Sequence, residues 1–210
     1  QVNFNDVSGP GSAASSLTDG TGYIETLNIY ARGEDDELRY VFNIGGRTTN
    51  DKRYDTAEFA LTTLKGHLAY QNHFMDAGDV FESYSQYSLD SALKGMSYKY
   101  VDETDKLPDF SVVYGIAYPR WENLWEGYHL KATQRNVAGA NISHEINPVL
   151  TAGFSLVHSD DSKPVSTSDD LYTNTVYALD VEYRPIPGLT IRAESAISDT
   201  SQNYSGRTHS

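Results

Sequence analysis

Residues 181–194 read Val181-Glu182-Tyr183-Arg184-Pro185-Ile186-Pro187-Gly188-Leu189-Thr190-Ile191-Arg192-Ala193-Glu194, two alternating runs joined by a tight Pro/Gly turn. Tyr177, Leu179, Val181 and Tyr183 fall on one side of the first run, and Asp180, Glu182 and Arg184 on the other. Beyond the turn, Leu189, Ile191 and Ala193 continue the apolar side, while Thr190, Arg192 and Glu194 continue the polar one. Side chains of a strand alternate with a period of two, so each run has an oily face and a charged face. In a soluble sandwich the oily face packs on a second sheet. In a membrane-spanning barrel it meets lipid, and the charged face lines a wet lumen.

The same alternation recurs along the chain. Strands are expected at 23–32, 38–47, 57–70, 74–81, 93–101, 110–118, 129–145, 149–158, 173–184 and 189–198. Most are of the length that crosses a bilayer at a tilt, roughly 9–11 residues. The segment 129–145 is longer, which suggests projection beyond the membrane or a bulge at Gly139. Short connections (33–37, 71–73, 102–109, 146–148, 185–188) take turns with longer ones (48–56, 82–92, 119–128, 159–172). Barrels of the outer membrane have that rhythm, with brief turns on one side and longer loops on the other. Three regions follow. Residues 1–21, rich in Gly, Ser, Asp and Asn, read as an irregular leader. Residues 22–198 read as barrel strands, and 199–210 as an external loop or truncated end.

Composition narrows the classes. The 210 residues suffice for one large all-β domain. The net charge of −13 argues against nucleic acid as a partner, because phosphate binding needs a basic surface. There is no Cys, which excludes thiolate metal sites and thiol catalysis. No apolar run is long enough for a membrane-crossing helix. The chain opens at Gln1, not Met, as an exported protein does once its signal peptide is removed, or as a trimmed chain does. The 16 Tyr suit water–lipid boundaries, where an apolar ring with a polar tip is at home.

Three passages resemble Gram-negative outer-membrane, porin-like β-barrels, without pointing to a subfamily. They are the turn Ser143-His144-Glu145-Ile146-Asn147-Pro148-Val149-Leu150-Thr151, the Tyr183-Arg184-Pro185-Ile186-Pro187-Gly188-Leu189-Thr190 hairpin, and the strand–loop–strand run from Ala77 through Leu89 to Met96. The resemblance extends in style from Tyr23 to Ser198. It implies an all-β, antiparallel up-and-down transmembrane barrel in the bacterial outer membrane. Such barrels usually end on an aromatic residue, whereas this chain ends Arg207-Thr208-His209-Ser210. The expectation is therefore the N-terminal part of a larger barrel.

On that reading the polar faces line a pore, and its wall includes Arg39, Asn43, Arg47, Lys99, Lys131, Arg135, Glu145, Asp180, Glu182, Arg184, Arg192 and Glu194. Opposed charges across a pore create a transverse field that orients polar solutes. The competing role for the same residues is cross-strand pairing that steadies the wall, each pair contributing about 0.2–1 kcal/mol. Aromatic residues in the longer connections, Tyr84, Tyr87, Tyr118, Trp121, Trp125 and Tyr128, are expected at the headgroup level of the membrane. Acidic clusters at 35–37, 102–105, 160–161 and 169–170 could hold divalent cations, but none has the spacing of an EF-hand loop, and a solvated loop explains them as well.

No His-Glu-x-x-His, Gly-x-Ser-x-Gly or glycine-rich phosphate loop occurs, so neither an enzyme nor a cofactor site is expected. The leading expectation is a cell-surface transport protein: a channel for small polar solutes or ions, with an acidic mouth that favours cations. Its partners would be outer-membrane lipid, a second copy of the chain, or another exported protein. The alternatives are a secreted or surface-attached β-rich adhesive protein without a pore, and a barrel sleeve that scaffolds another exported protein.

Overall fold

The chain's computed structural model describes residues 1–6, 8, 10, 20–52, 54–55, 57–104, 106–117, 120–121, 124, 133–163 and 170–203. Its elements are the strands β1 (Val2–Asn5), β2 (Gly20–Asp35), β3 (Leu38–Thr49), β4 (Phe59–Tyr70), β5 (His73–Ser83), β6 (Asp90–Tyr100), β7 (Asp109–Ala117), β8 (Gln134–Asn147), β9 (Leu150–Lys163), β10 (Leu171–Ile186) and β11 (Leu189–Asn203). They form one sheet in sequence order, each strand antiparallel to its neighbours. The chain is thus all-β and up-and-down, an open barrel-type wall with β1 and β11 at its edges.

Tight hairpins dictate this order. Residues 36–37 join β2 to β3, and residues 71–72 join β4 to β5. Asp36 and Gln71 take positive φ there, 49° and 50°, the left-handed twist that a two-residue hairpin requires. The quoted 181–194 segment makes the β10–β11 hairpin, where Gly188 has φ 85°. Its register slips between Tyr183 and Ile186 because the two prolines interrupt the ladder.

Several expectations need correction. Val2–Asn5 is a strand paired with β2, inside the region read as an irregular leader. Residues 199–203 continue β11 and pair with β10 as far as Leu171↔Asn203. No bulge occurs at Gly139, which sits in regular register between Val113 and Val157. The slips in β8 lie at its ends, between Gln134 and Arg135 and between Glu145 and Asn147. The proposed start of that strand, 129–132, lies outside the described residues. Nor is the short–long rhythm strict, since 101–108 is longer than 84–89. The longer turn is gathered round Asp102, whose carboxylate accepts the N–H groups of Thr104, Lys106 and Leu107. These donors, Leu107 foremost, hold its acid below the usual carboxylate range, although burial works against them.

The alternation places apolar side chains on one face of the sheet. Leu179 is 54% exposed and Tyr114 60%, while Ser155, on the opposite face, is fully buried. That is the reverse of a soluble protein's order. Among the described residues no second layer covers the apolar face; one sheet contains every strand. Strands of 16, 12, 14 and 15 residues (β2, β3, β9, β11) are ample for an oblique bilayer crossing, for which about 9–11 suffice.

A small apolar core lies on the other face. Val80, Leu93, Val113, Val137 and Val157 come from the inward positions of five successive strands, and Leu89 joins them from the β5–β6 connection. Tyr84 packs on this cluster, so the connection folds back over the inner face.

Candidate functional site: a charged inner wall narrowed by an in-folded loop

Register settles which residues share the inner face. On β3, Arg39 lies opposite Glu34 and Ala69, and Asn43 opposite Tyr30 and Lys65. Lys99 pairs with Phe74 and Ser111. Glu145 lies opposite Thr151, which neighbours Glu182. Asp180 faces Glu194 across the β10–β11 ladder, and Glu182 faces Arg192. The described residues expected along a pore therefore share one side of the wall. Lys131 lies outside the described residues.

Some of these charges are engaged with each other. Arg135 makes a two-pronged contact with the buried Asp161, Nε to Oδ1 at 2.7 Å and Nη2 to Oδ2 at 3.1 Å. His67 Nδ1 is 3.0 Å from Asp76. Glu182 accepts from Arg192 Nε at 2.7 Å and also pairs with Arg184. Pairing within the wall is therefore uneven: Glu182 is neutralised between two guanidinium groups, whereas Asp180 and Glu194 are two carboxylates side by side. Among the described residues neither belongs to an ion pair.

Tyr84, expected at a lipid boundary, instead packs on the inner cluster, and Tyr87 lies in the same folded-in loop with its ring largely exposed. The backbone N–H of Tyr84 donates to Leu89 O at 2.8 Å, which closes the β5–β6 connection into a compact tip. The Tyr84 ring lies over Gly139, where an added Cβ would stand 2.9 Å from its Cε2. Burial pushes the Tyr84 phenol up to about 12, against the pull of the Ser111 hydroxyl, so the ring stays neutral. The N–H of Tyr87 reaches Glu194 Oε1 on β11 at 3.3 Å. A tip on β5–β6 touches β11 only if the wall curls round it. Between tip and wall is a cavity of about 550 Å³, lined by Tyr84–Tyr87 on one side and by Asp180, Glu182, Arg192 and Glu194 on the other. Gly153 makes room for this arrangement, because a Cβ there would lie 2.5 Å from Asp180 Oδ1.

The alternation of polar and apolar residues did not reveal this loop, yet one signal was present. Val113, Val137 and Val157 occupy inward positions that should be polar in a water-filled barrel. Apolar residues at those positions require a cover, and the nearby Leu89 and Tyr84 provide it. Also overlooked was an outward aromatic group near the short-turn end. His73 stacks on Tyr98 with centroids 6.0 Å apart, and Tyr100 stacks on Phe110 at 5.6 Å. These rings gather on the outward face, at the ends of β5, β6 and β7 beside residues 71–72 and 101–108.

Trp121 is turned to polar partners: its Nε1 donates to Asp79 Oδ1 at 3.1 Å, and Lys94 Nζ lies 5.3 Å from its ring centre. Tyr118, Trp125 and Tyr128 lie outside the described residues. Beside Trp121, Arg120 clamps Asp55 through Nη1 at 2.8 Å and Nη2 at 3.0 Å, and Arg47 pairs with the same carboxylate. Burial raises the Asp55 pKa, but the Arg120 hydrogen bonds, the Ala57 N–H and both guanidinium charges outweigh it and bring it to about 2. A lowered carboxylate pKa stabilises the fold above the unfolded value of 3.8 and loses that contribution as pH falls through the folded value. The clamp should therefore persist at pH 4 and release near pH 2. An NMR titration of the Asp55 side-chain carboxyl carbon is expected to give a midpoint near 2, and one near 4 would mean that the clamp does not form.

No protein-family model matches the chain, and no curated protein matches it. Solved structures similar to it include mutants of the porin from Rhodopseudomonas blastica. One double mutant aligns over 89% of this chain and 91% of its own, at 9% identity and TM-score 0.28. A triple mutant gives the same coverage and identity at TM-score 0.26. A further structure, described as showing asymmetric conductivity of engineered proteins, aligns at 11% identity and TM-score 0.24 over 89% of this chain and 91% of its own. Agreement this low adds no weight, and the functional reading rests on the inverted sheet and its in-folded loop.

Proposed function

We propose that the chain forms the wall of a channel in a bacterial outer membrane, through which small polar solutes or ions pass, cations in preference. One observation carries this reading. Large apolar residues stand exposed on one face of the sheet and the named charges share the other, where the folded-in loop leaves a charged cavity of about 550 Å³. An aqueous lumen hydrates the inner charges, and lipid receives the outer Leu, Ile and Tyr side chains. Asp180 and Glu194 give the passage its acidic bias, since Glu182 is balanced by Arg184 and Arg192. The chain's −13 charge adds a long-range attraction for cations.

Two of the acidic clusters are engaged in internal hydrogen bonds. Asp102 caps its own turn, and Asp160, which lies within β9 and not in a connection, accepts from Thr173 Oγ1 at 2.8 Å. Partner lipid would lie against the outward apolar face.

The test is reconstitution into planar lipid bilayers. Stepwise conductance is expected, with a reversal potential in a KCl gradient displaced toward that of potassium. Membrane insertion without conductance would favour the sleeve reading. Recovery as a freely soluble particle would favour the adhesive one.

A further inference from the structure

The wall is not continuous between β4 and β5. Their ladder runs from Tyr70↔His73 only as far as Lys65↔Gly78. Beyond that point β4 stays with β3 up to Thr48↔Phe59, and β5 stays with β6 up to Ser83↔Asp90. The sheet forks, and the β5–β6 arm is the one that carries the in-folded tip. Gly78 marks the fork: its φ is +98°, and a Cβ there would lie 2.0 Å from Leu64 O.

Asp79 sits at the crotch of this fork and reaches both sides. Its Oδ2 accepts the Leu64 N–H of β4 at 2.7 Å. Its Oδ1 accepts from Trp121 Nε1 at 3.1 Å and pairs with Lys94 of β6. One carboxylate therefore replaces the missing backbone ladder and fastens the arm to β4, to its own hairpin and to the β7–β8 connection.

We propose that Asp79 is the positioning residue of the constriction: it sets how far the β5–β6 arm leans into the lumen, and so the width left between its tip and Asp180 and Glu194. The functional consequence rests on the channel reading above; the mechanical claim does not. A backbone ladder would hold β5 flush with β4 and draw the tip back toward the wall. A single side-chain tether lets the arm lean inward, yet keeps it from swinging freely. Asn at this position still accepts one hydrogen bond but leaves the largely buried Lys94 ammonium without its carboxylate partner, with only the Trp121 ring beside it, so the tether loosens.

The chain lacks Cys, so a spin-label pair can be placed at Gln86 of the tip and Ser198 of β11 without background. In Asp79→Asn the distance distribution between these labels is expected to broaden by about 5 Å, and single-channel conductance to rise about twofold with its ion preference kept. Asp79→Glu, which retains the charge, is expected to recover most of the native distribution. An Asp79→Asn protein with native distances and native conductance would overturn the proposal. Should that variant not assemble, Trp121→Phe keeps the ion pair and removes one donor; broadened distances support the tether, and unchanged distances overturn it. If the unaltered protein conducts no ions, the channel reading fails, while the distance measurement still decides the role of Asp79.

Discussion

Replacing Asp180 and Glu194 together by lysine is expected to reverse the ion preference of the reconstituted channel, moving the cation-to-anion permeability ratio by about tenfold or more. The two carboxylates lie opposite each other on β10 and β11 and line the cavity beneath the tip. Low-dielectric walls on both sides make each charge count for more than it would in open water. The double substitution turns two negative charges into two positive ones in the cavity beneath the tip. Glu182→Gln is the instructive control. That carboxylate is shared between Arg184 and Arg192, so neutralising it exposes cationic charge and should shift preference in the same direction by less. Reversal potentials in asymmetric KCl measure all three proteins. A double variant that assembles normally and keeps the native reversal potential would remove Asp180 and Glu194 from the permeation path.

Leu179→Arg should abolish or severely impair membrane assembly. Leu179 lies near the middle of β10, outward and 54% exposed in the chain itself. A charge on the lipid face of a barrel at the bilayer midplane costs about 2–4 kcal/mol. On the surface of a water-soluble protein the same substitution changes stability by only about 0.5 kcal/mol. The experiment therefore separates the membrane reading from the adhesive one. Asn141→Arg, on the inner face of β8 opposite Ser111 and Ser155, serves as the comparison and is expected to assemble, because on the channel reading that face meets water and not lipid. Heat-modifiable gel migration and urea unfolding from lipid vesicles read the two variants side by side. Equal, native-like folding of both would contradict lipid contact at Leu179.

Local rules account for much of this molecule. Side-chain alternation in 177–184 and 189–194 correctly separates Leu179 and Ile191 from Asp180 and Arg192, because a period of two is a property of the extended backbone and needs no partner. Pro and Gly at 185–188 locate a hairpin for an equally local reason: they restrict φ or free it. Tyr84 and Tyr87 show where such reasoning stops. An aromatic residue in a connection satisfies a membrane boundary and an inner packing site alike, and nothing within its own segment distinguishes them. The distinction lies fifty residues and more away, in Val137, Gly139 and Val157, which offer an apolar floor and the space above it.

Sequence by itself therefore determined ten of the eleven strands, their antiparallel succession and the two chemical faces, since each follows from the backbone geometry of neighbouring residues. Tertiary structure alone decided that the tip of 84–89 turns inward, that Asp180 and Glu194 meet beneath it, and that the wall forks beside Asp79. Those features depend on contacts between residues far apart in the chain, such as Tyr87 with Glu194 and Asp79 with Trp121, whose pairing is set by how the whole sheet curls.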